Sequence, residues 1–440
     1  MNKLLKPIDD FMRSSSSGSI ILIFATFLAL IIANSPLQDW YTNFMQNDFT
    51  IGFTESSFHL KEPFYLWIND GLMAIFFFHV GLEIKREVIA GELSTIKKAS
   101  LPIIAAIGGV ILPILIYIFL NVDTKTAHGW GVPMATDIAF SLGILQLFGK
   151  WVPTGLKVFL AAFAIVDDIL AVLVIAIFYS MQIHWNLLLY ALCILLFLLF
   201  LDYKKYFSRF IHFPLSVAVW ILFLKSGIHP TIAGVLLALT VPATRRTSLD
   251  NFFERIKSSV QTFIQHKEQL QDNDILEEEQ VDAAHEINSL SKKISSPLQK
   301  IERDLNPWIT FIIMPIFAFA NAGVNVTNQS NLDFNLVWHI ATALILGKTL
   351  GISIFSWVSI KTKITNLPSG VTFKHLFGIA ILGGLGFTMS LFIANLAFKN
   401  HALLSAAKIG ILGGSIIAAI VGYVVLHLVL KKNKDIKKAG

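Results

Sequence analysis

Apolar windows of about 17–25 residues recur along this chain, each long enough to cross a bilayer as a helix. About twelve can be counted, beginning near residues 18, 64, 100, 129, 155, 185, 211, 229, 305, 336, 376 and 404. Backbone in hydrocarbon must satisfy its own hydrogen bonds, so the windows predict an all-α polytopic membrane protein. Those at 211–225 and 229–241 are short and can also be read as one broken span. Charged residues make up 15% of the chain, against about 25% in soluble domains. Mean hydropathy is +0.66, which agrees with a chain that is mostly membrane.

The charges that remain sort by side. With the N-terminus inside, the cytoplasmic termini and short loops carry 22 Lys and Arg, among them Lys85, Arg86, Lys97, Lys98, Lys150, Lys204, Lys205, Arg245, Arg246, Lys361 and Lys363. The opposite loops carry 4: Lys61, Lys125, Lys225 and Lys399. By the positive-inside rule both termini are cytoplasmic. The net charge of +6 is thereby a topology signal and calls for no nucleic-acid partner. The leading MNKLLKPIDDFMRSSSSGS lacks a small-residue cleavage motif and reads as a retained cytoplasmic lead-in. A single cysteine, Cys193, excludes an intrachain disulfide framework. The expected division is spans 1–8 within residues 1–244, a polar loop at 245–304, spans 9–12 within 305–430 and a basic tail at 431–440. The loop shows helical apolar spacing at Ile256, Val260, Phe263 and Ile264, then at Val281, Ala284, Ile287, Leu290 and Ile294. It reads as a cytoplasmic helical hairpin with an acidic linker. In the first external loop, near 47–60, two β-prone stretches around Gly52 suggest a hairpin whose edge could pair with a second copy.

Four ionisable residues interrupt the apolar windows near their middles: Asp137, the consecutive pair Asp167 and Asp168, and Lys348. Each costs about 2.5–3.5 kcal/mol at the bilayer centre on the mildest scale. Facing one another, water or an ion offsets that cost, so these residues point to an intramembrane ion or proton site. On a helix Asp167 and Asp168 diverge by about 100°, well placed to meet different partners across one cavity. Two close carboxylates in low dielectric disfavour simultaneous ionisation, whereas a bound cation favours it. Protons and a cation then compete for the same oxygens, which suffices for exchange if the site opens alternately to each side. Carboxylate, hydroxyl and backbone oxygens suit hard cations, and no Cys/His cluster selects a softer metal.

Two windows contain small or helix-breaking residues where continuous helix would be expected. GWGVPMATDIAF (129–140) holds Thr136 and Asp137, and GIAILGGLGFTMSLF (378–392) holds Gly383, Gly384, Gly386 and Thr388. Each is the second span of a candidate three-span group, 100–180 or 336–430, a pattern that points to a transporter built from inverted repeats. Small-residue packing between helices explains the glycines alone equally well, and the aspartate beside one break favours the transporter reading. Where helices break, Asp137 suits their positive ends and Lys348 their negative ends, while direct ion contact by Asp137 stays open. Lys348 could equally be a counter-ion to an aspartate or a proton carrier. Glu83 and Glu87 lie four apart on one helix face in FFFHVGLEIKRE, which alone reads as a solvated helix end. His229 reads as a packed or interfacial histidine, and Trp151, Trp185 and Trp308 as interfacial belt residues.

FFFHVGLEIKRE, PMATDIAFSLGIL, LAAFAIVDDILAV, LKSGIHPTIAG, NPWITFIIMPIFAFANAGV, LILGKTLGISIFSW and GGLGFTMSLFIANLAF, in this order, closely resemble the NhaA family of bacterial sodium/proton antiporters. The resemblance implies twelve spans with two broken, crossing helices. It also implies an inner-membrane location, exchange of two protons per sodium ion, use of lithium, and dimers through the external hairpin. It assigns ion and proton exchange to Asp167 and Asp168, places Thr136 and Asp137 at the crossing and sodium site, and pairs Lys348 with Asp167. Glu83, Glu87 and Glu302 match acidic positions linked to pH activation. No cofactor is implied beyond the transported Na⁺, Li⁺ and H⁺. Arg303 and Asn306 stand where a well-studied branch has histidines.

Other classes fit less well. An intramembrane aspartyl protease has its second aspartate after a Gly-x-Gly turn, and the comparable stretch here is GLGF. HExxH is absent, and no GxxxxGK[ST] motif offers a nucleotide site for a pump. A sodium-coupled symporter of a small organic anion, on a related scaffold, is the nearest rival. The adjacent aspartates and Lys348 favour a small cation, so a transporter is expected and not an enzyme.

Overall fold

A computed structural model describes residues 17–52, 59–122, 125–180, 182–244, 249–265, 278–325 and 332–439. The N-terminal lead-in to residue 16, Arg245, Arg246 and the linker at 266–277 lie outside the described residues. Among the described residues, eight helices are long and apolar enough to cross a membrane, or up to ten if each bent pair counts as one span. The protein is thus a mostly helical polytopic membrane protein.

Helix α1 (Ser17–Ala33) turns through 111° into α2 (Gln38–Gln46). Strands β1 (Asp48–Gly52) and β2 (His59–Pro63) pair antiparallel, from Asp48 opposite Pro63 to Gly52 opposite His59. Helix α3 (Phe64–Ala90) contains a π-turn at Trp67–Leu72, and α4 (Ile96–Leu120) comes next. The window near 129 forms a 3₁₀ stretch, Ala127–Met134, and then α5 (Ile138–Leu147), with extended backbone at Ala135 and Asp137. Pro133 and the glycines at 129 and 131 account for the break, since neither residue type supports an α-helix interior.

Helices α6 (Thr154–Phe178), α7 (Trp185–Tyr203) and α8 (Arg209–Ser226) continue the chain. The two short windows form separate helices. Gly227 ends α8 at φ +86°, and α9 (Thr231–Leu239) begins after Pro230. A side chain at 227 would also collide with the Gln182 carbonyl, 2.1 Å from an added Cβ.

In the polar region, α10 (Leu249–Gln265) and α11 (Glu278–Ile294) pack on each other, joined by Arg255 and Ser259 to Glu286. The next span starts earlier than the expected boundary at 305. Ser296 caps α12 (Pro297–Ala322), its hydroxyl accepting from Gln299 N at 3.2 Å, and Pro297 provides a preset first turn. Helix α13 (Phe334–Lys361) has a π-turn at Ala343–Gly347, immediately before Lys348. Helices α14 (Phe373–Leu382) and α15 (Phe387–Ala397) meet at 45°, and α16 (His401–Ala439) continues helically through the expected basic tail.

Burial identifies the central element. In α6, 67% of the most apolar window is buried inside the protein, against 17% in α7 and 22% in α8. Helices α7 and α8 therefore present their apolar faces outward, whereas α6 is enclosed by α3, α4 and α14. Among the largest fully buried side chains are Phe77, Phe163, Phe317, Phe392 and Lys348. A fully buried lysine in that company needs a partner.

Candidate functional site

Asp137 is the N-cap of α5, its Oδ1 accepting from Phe140 N at 3.1 Å. Its Oδ2 accepts from Thr388 N at 3.1 Å and from the Thr388 hydroxyl, in the first turn of α15. One carboxylate thereby closes two helix N-termini, where unpaired N–H groups and the helix dipole concentrate positive charge. The main chains also touch, since Asp137 N–H donates to Leu385 O. Hydroxyls serve the opposite pole: Thr136 donates to Gly383 O at 2.9 Å and Ser141 to Leu382 O at 3.1 Å, both at the end of α14. Thr136, Asp137, Ser141 and Thr388 are all buried. Glycine permits this approach: a Cβ at Gly383 would lie 2.5 Å from Ile352 Cδ1, and one at Gly386 would lie 2.1 Å from Ser390 Oγ.

The described bonds of Lys348 run to an aspartate and not to a helix-end carbonyl. Its Nζ donates to both oxygens of Asp167, at 2.8 and 2.9 Å, with both side chains fully buried. The Phe163 ring lies over the ammonium, 5.9 Å from Nζ to its centroid. The π-turn at Ala343–Gly347 sets where Lys348 points, because a π-turn inserts a residue and rotates the helix beyond it. Close packing holds that turn in place: a Cβ at Gly347 would lie 2.5 Å from Pro113 Cα, and one at Gly351 would lie 2.1 Å from Gly108 O.

Asp168 is the contrasting member of the pair. It is 1% exposed, like Asp167, yet neither of its oxygens has a hydrogen-bond partner among the described residues. Asp167, Glu83, Asp137 and Lys348 all act on it electrostatically. A cavity of about 330 Å³ borders the preceding turns of α6, lined by Glu83, Arg86, Glu87, Ile138, Ala161 and Ile165 among others. Ala161, Ile165 and Asp168 are spaced i, i+4, i+7 and share one face of α6, so the cavity wall leads toward the carboxylate.

At the cavity mouth Arg86 joins acids that lie far apart in the sequence. Its guanidinium bonds Glu302 at 2.6 Å and Glu87 at 3.0 Å, tying α3 to α12. Glu87 also accepts from Glu92 N at 2.9 Å, closing the turn after α3. Glu83 is half-buried and faces the cavity, so the helix end is a built acidic mouth and more than a solvated surface.

Two groupings are not apparent from sequence. His79 is buried one turn deeper than Glu83 on the same face of α3, with its Nε2 unpartnered among the described residues. Its i, i+4 relation to Glu83 is visible in the chain, but one histidine in an apolar run carries little signal. Asp70, in the π-turn of α3, meets His229 Nε2 at 3.4 Å, and His229 Nδ1 pairs with Thr231 Oγ1 at 2.9 Å. His229 is packed, edge-on to Phe392. Trp151, Trp185 and Trp308 are exposed.

The family described as Na⁺/H⁺ antiporter 1 matches residues 9–426. The Na⁺/H⁺ antiporter NhaA of Bacteroides fragilis is 42% identical over 438 residues, covering 98% of this chain and all of that protein. The protein of the same name from Phocaeicola vulgatus is 43% identical over 424 residues, covering 94% of each. Na⁺/H⁺ antiporter NhaA 2 of Flavobacterium johnsoniae is 42% identical over 434 residues, covering 98% and 94%.

Proposed function

The chain belongs to the Na⁺/H⁺ antiporter 1 family, and on that footing we propose that it exports sodium from the cell in exchange for protons, with Asp168 and Asp167 as the exchanging carboxylates. The activity is transport, with no covalent chemistry and no cofactor. The observation that carries the site assignment is Asp168, an acid as buried as its neighbour but without a partner among the described residues. Such a carboxylate must hold a proton or a cation to be tolerated in low dielectric. Sodium arriving through the acidic mouth displaces protons from the pair, and protons arriving from the other side displace sodium.

The remaining roles rest on position. Asp137 has its oxygens occupied by two helix N-termini, so it holds the crossing together and adds negative potential to the site. Thr136 anchors the same crossing and borders the sodium site. Lys348 compensates Asp167 whenever that carboxylate is ionised. Glu87 and Glu302, linked through Arg86, and Glu83 beside them make the mouth sensitive to cytoplasmic pH. Twelve spans arranged as inverted repeats, with 127–147 and 373–397 as the corresponding broken segments, are the architecture that supports alternating access. Both termini are cytoplasmic in a bacterial inner membrane. The β1–β2 hairpin offers an open edge through which two copies pair.

Two protons against one sodium move one net charge per cycle, and lithium is accepted at the same oxygens. An inside-negative potential of about 100 mV then contributes about 2.3 kcal/mol toward sodium export. Inside-out vesicles carrying a pH dye test the reading. Sodium should dissipate an acid interior, and small organic anions should not. Proteoliposomes with no initial pH gradient should take up or release sodium according to the sign of an imposed potential. Rates indifferent to that potential would mean one-for-one exchange.

A further inference from the structure

Three amides join α3, α12 and α15 at the ends opposite the acidic mouth. Asn395 Nδ2, on α15, donates to Asn321 Oδ1, on α12, at 2.7 Å. Asn321 Nδ2 donates in turn to Asn69 Oδ1, in the π-turn of α3, at 2.8 Å. Each donating amide also bonds its own helix, Asn395 at Leu391 O and Asn321 at Phe317 O, which fixes the side chain in place. Asn69 and Asn321 are buried, and Asn395 is half-buried.

Next to the amides is a layer of rings. Phe392, on α15, meets Phe77 of α3 and Phe317 of α12, at centroid distances of 5.9 and 6.3 Å. Residues 388, 392 and 395 are spaced i, i+4, i+7, so one face of α15 carries Thr388 on Asp137, then the ring, then the amide. Helix α12 has the same order from its other end, with Asn321, then Phe317, and Glu302 at the mouth. Helix α3 runs likewise from Asn69 past Phe77 to Glu83. The cavity therefore lies at the Glu83 end of these helices, while rings and amides join them at the Asn69 end. The joints are unequal. Helices α3 and α12 are tied at both ends, by Arg86 to Glu302 at 2.6 Å and by Asn321 to Asn69. The amide of Asn395 ties α15 to that pair at one end. Water can replace either partner when helices part, so such a bond biases a closed state without fixing it.

We propose that Asn395, Asn321 and Asn69 form a latch that holds this end shut while the cavity at Glu83 is open. Helix α15 parts from the α3–α12 pair by breaking the Asn395–Asn321 bond, and the site then faces the opposite, external side. The three amides act by position, through the helices that carry the site. Passage of sodium through that opening rests on the antiport reading, whereas the latch itself does not.

The test uses the full chain in a Cys193→Ser background, with a single Ala318→Cys or Ala161→Cys substitution. Ala318 is fully buried, one turn inward of Asn321, and Ala161 lines the cavity. A membrane-impermeant thiol reagent is added to right-side-out vesicles for the first and to inside-out vesicles for the second. Adding Asn395→Ala should speed labelling of Ala318→Cys about fivefold, the effect of losing one hydrogen bond, without speeding that of Ala161→Cys. Unchanged labelling of the first, or equal acceleration of both through general loosening, would overturn the latch. A second arm needs no introduced cysteine. In proteoliposomes exchanging radioactive for unlabelled sodium at equal pH, Asn395→Ala should lower the half-saturating external sodium about fivefold, because more of the protein is open there. The half-saturating cytoplasmic sodium should not fall. The same fall on both sides, or no fall on the external side, would overturn the latch. A parent protein that exchanges sodium for sodium but moves no protons would defeat the antiport reading, and the labelling would still decide the latch.

Discussion

The crossing at Asp137 and the stretch of α6 at Asp168 bury the same chemical group in opposite ways. At the crossing, donors from two helix N-termini converge on one carboxylate, and hydroxyls cover the opposing carbonyls. At Asp168 the burial is as complete, but the described residues supply no donor. Asp167 falls between them, held twice by a single ammonium. A saturated carboxylate is a structural element, because any ion it took would have to displace bonds that hold two half-helices together. An unsaturated one is incomplete until cargo binds. Under the proposed function, the gradient from Asp137 through Asp167 to Asp168 separates scaffold from exchange chemistry within one cluster.

Substitutions should reproduce that gradient. The largest effect is expected from Asp168→Asn, which removes the charge that cargo compensates. Sodium-driven proton movement in inside-out vesicles should fall at least about a hundredfold, the equivalent of about 2.7 kcal/mol, with thermal stability in detergent unchanged or raised. Retained exchange by the folded variant would remove Asp168 from the pair.

Lys348→Ala leaves Asp167 buried without its partner, a change that costs about 3–5 kcal/mol when a buried pair is broken from one side. Melting temperature should drop clearly, and adding Asp167→Asn should recover most of the loss. Simple addition of the two losses would argue against coupling. At the crossing, Thr388→Val removes one of the donors to Asp137 and should cost about 1–2 kcal/mol of stability, read as a lower melting temperature in detergent. Its effect on sodium affinity should be smaller than that of any change at Asp168. The smallest effect is expected at the mouth. Glu302→Gln weakens one bond of Arg86 and should shift the pH dependence of exchange while leaving the maximal rate within about threefold, the equivalent of about 0.7 kcal/mol.

Much of this contrast can be read in the amino-acid sequence, for a physical reason. Charge in the middle of an apolar window is costly wherever the helix packs, so Asp137, Asp167, Asp168 and Lys348 announce themselves without tertiary information. The breaks are legible too, because Pro133 and Gly383, Gly384 and Gly386 act locally on the backbone. Other features depend on neighbours distant in sequence and stay hidden. The π-turn before Lys348 exists through packing against Pro113, far along the chain. Glu302 draws notice only by resemblance, since its link to Arg86 spans more than two hundred residues. The early start of α12 is written in Ser296, Pro297 and Gln299, but the polar sequence around them masks it as loop. The buried hydroxyls of Thr349, Ser353 and Ser356, without partners among the described residues, look like any serines and threonines until their surroundings are known.

The central claim is that Asp168 exchanges a proton for sodium while Asp137 does not. Purified protein in weakly buffered detergent solution, mixed with sodium beside a pH indicator, tests it most directly. The parent protein and Thr388→Val should release protons in proportion to the sodium bound, with the half-saturating sodium concentration rising as pH falls. Asp168→Asn should neither bind sodium in this range nor release protons. Sodium binding by Asp168→Asn with undiminished proton release would place the exchange elsewhere and contradict the account.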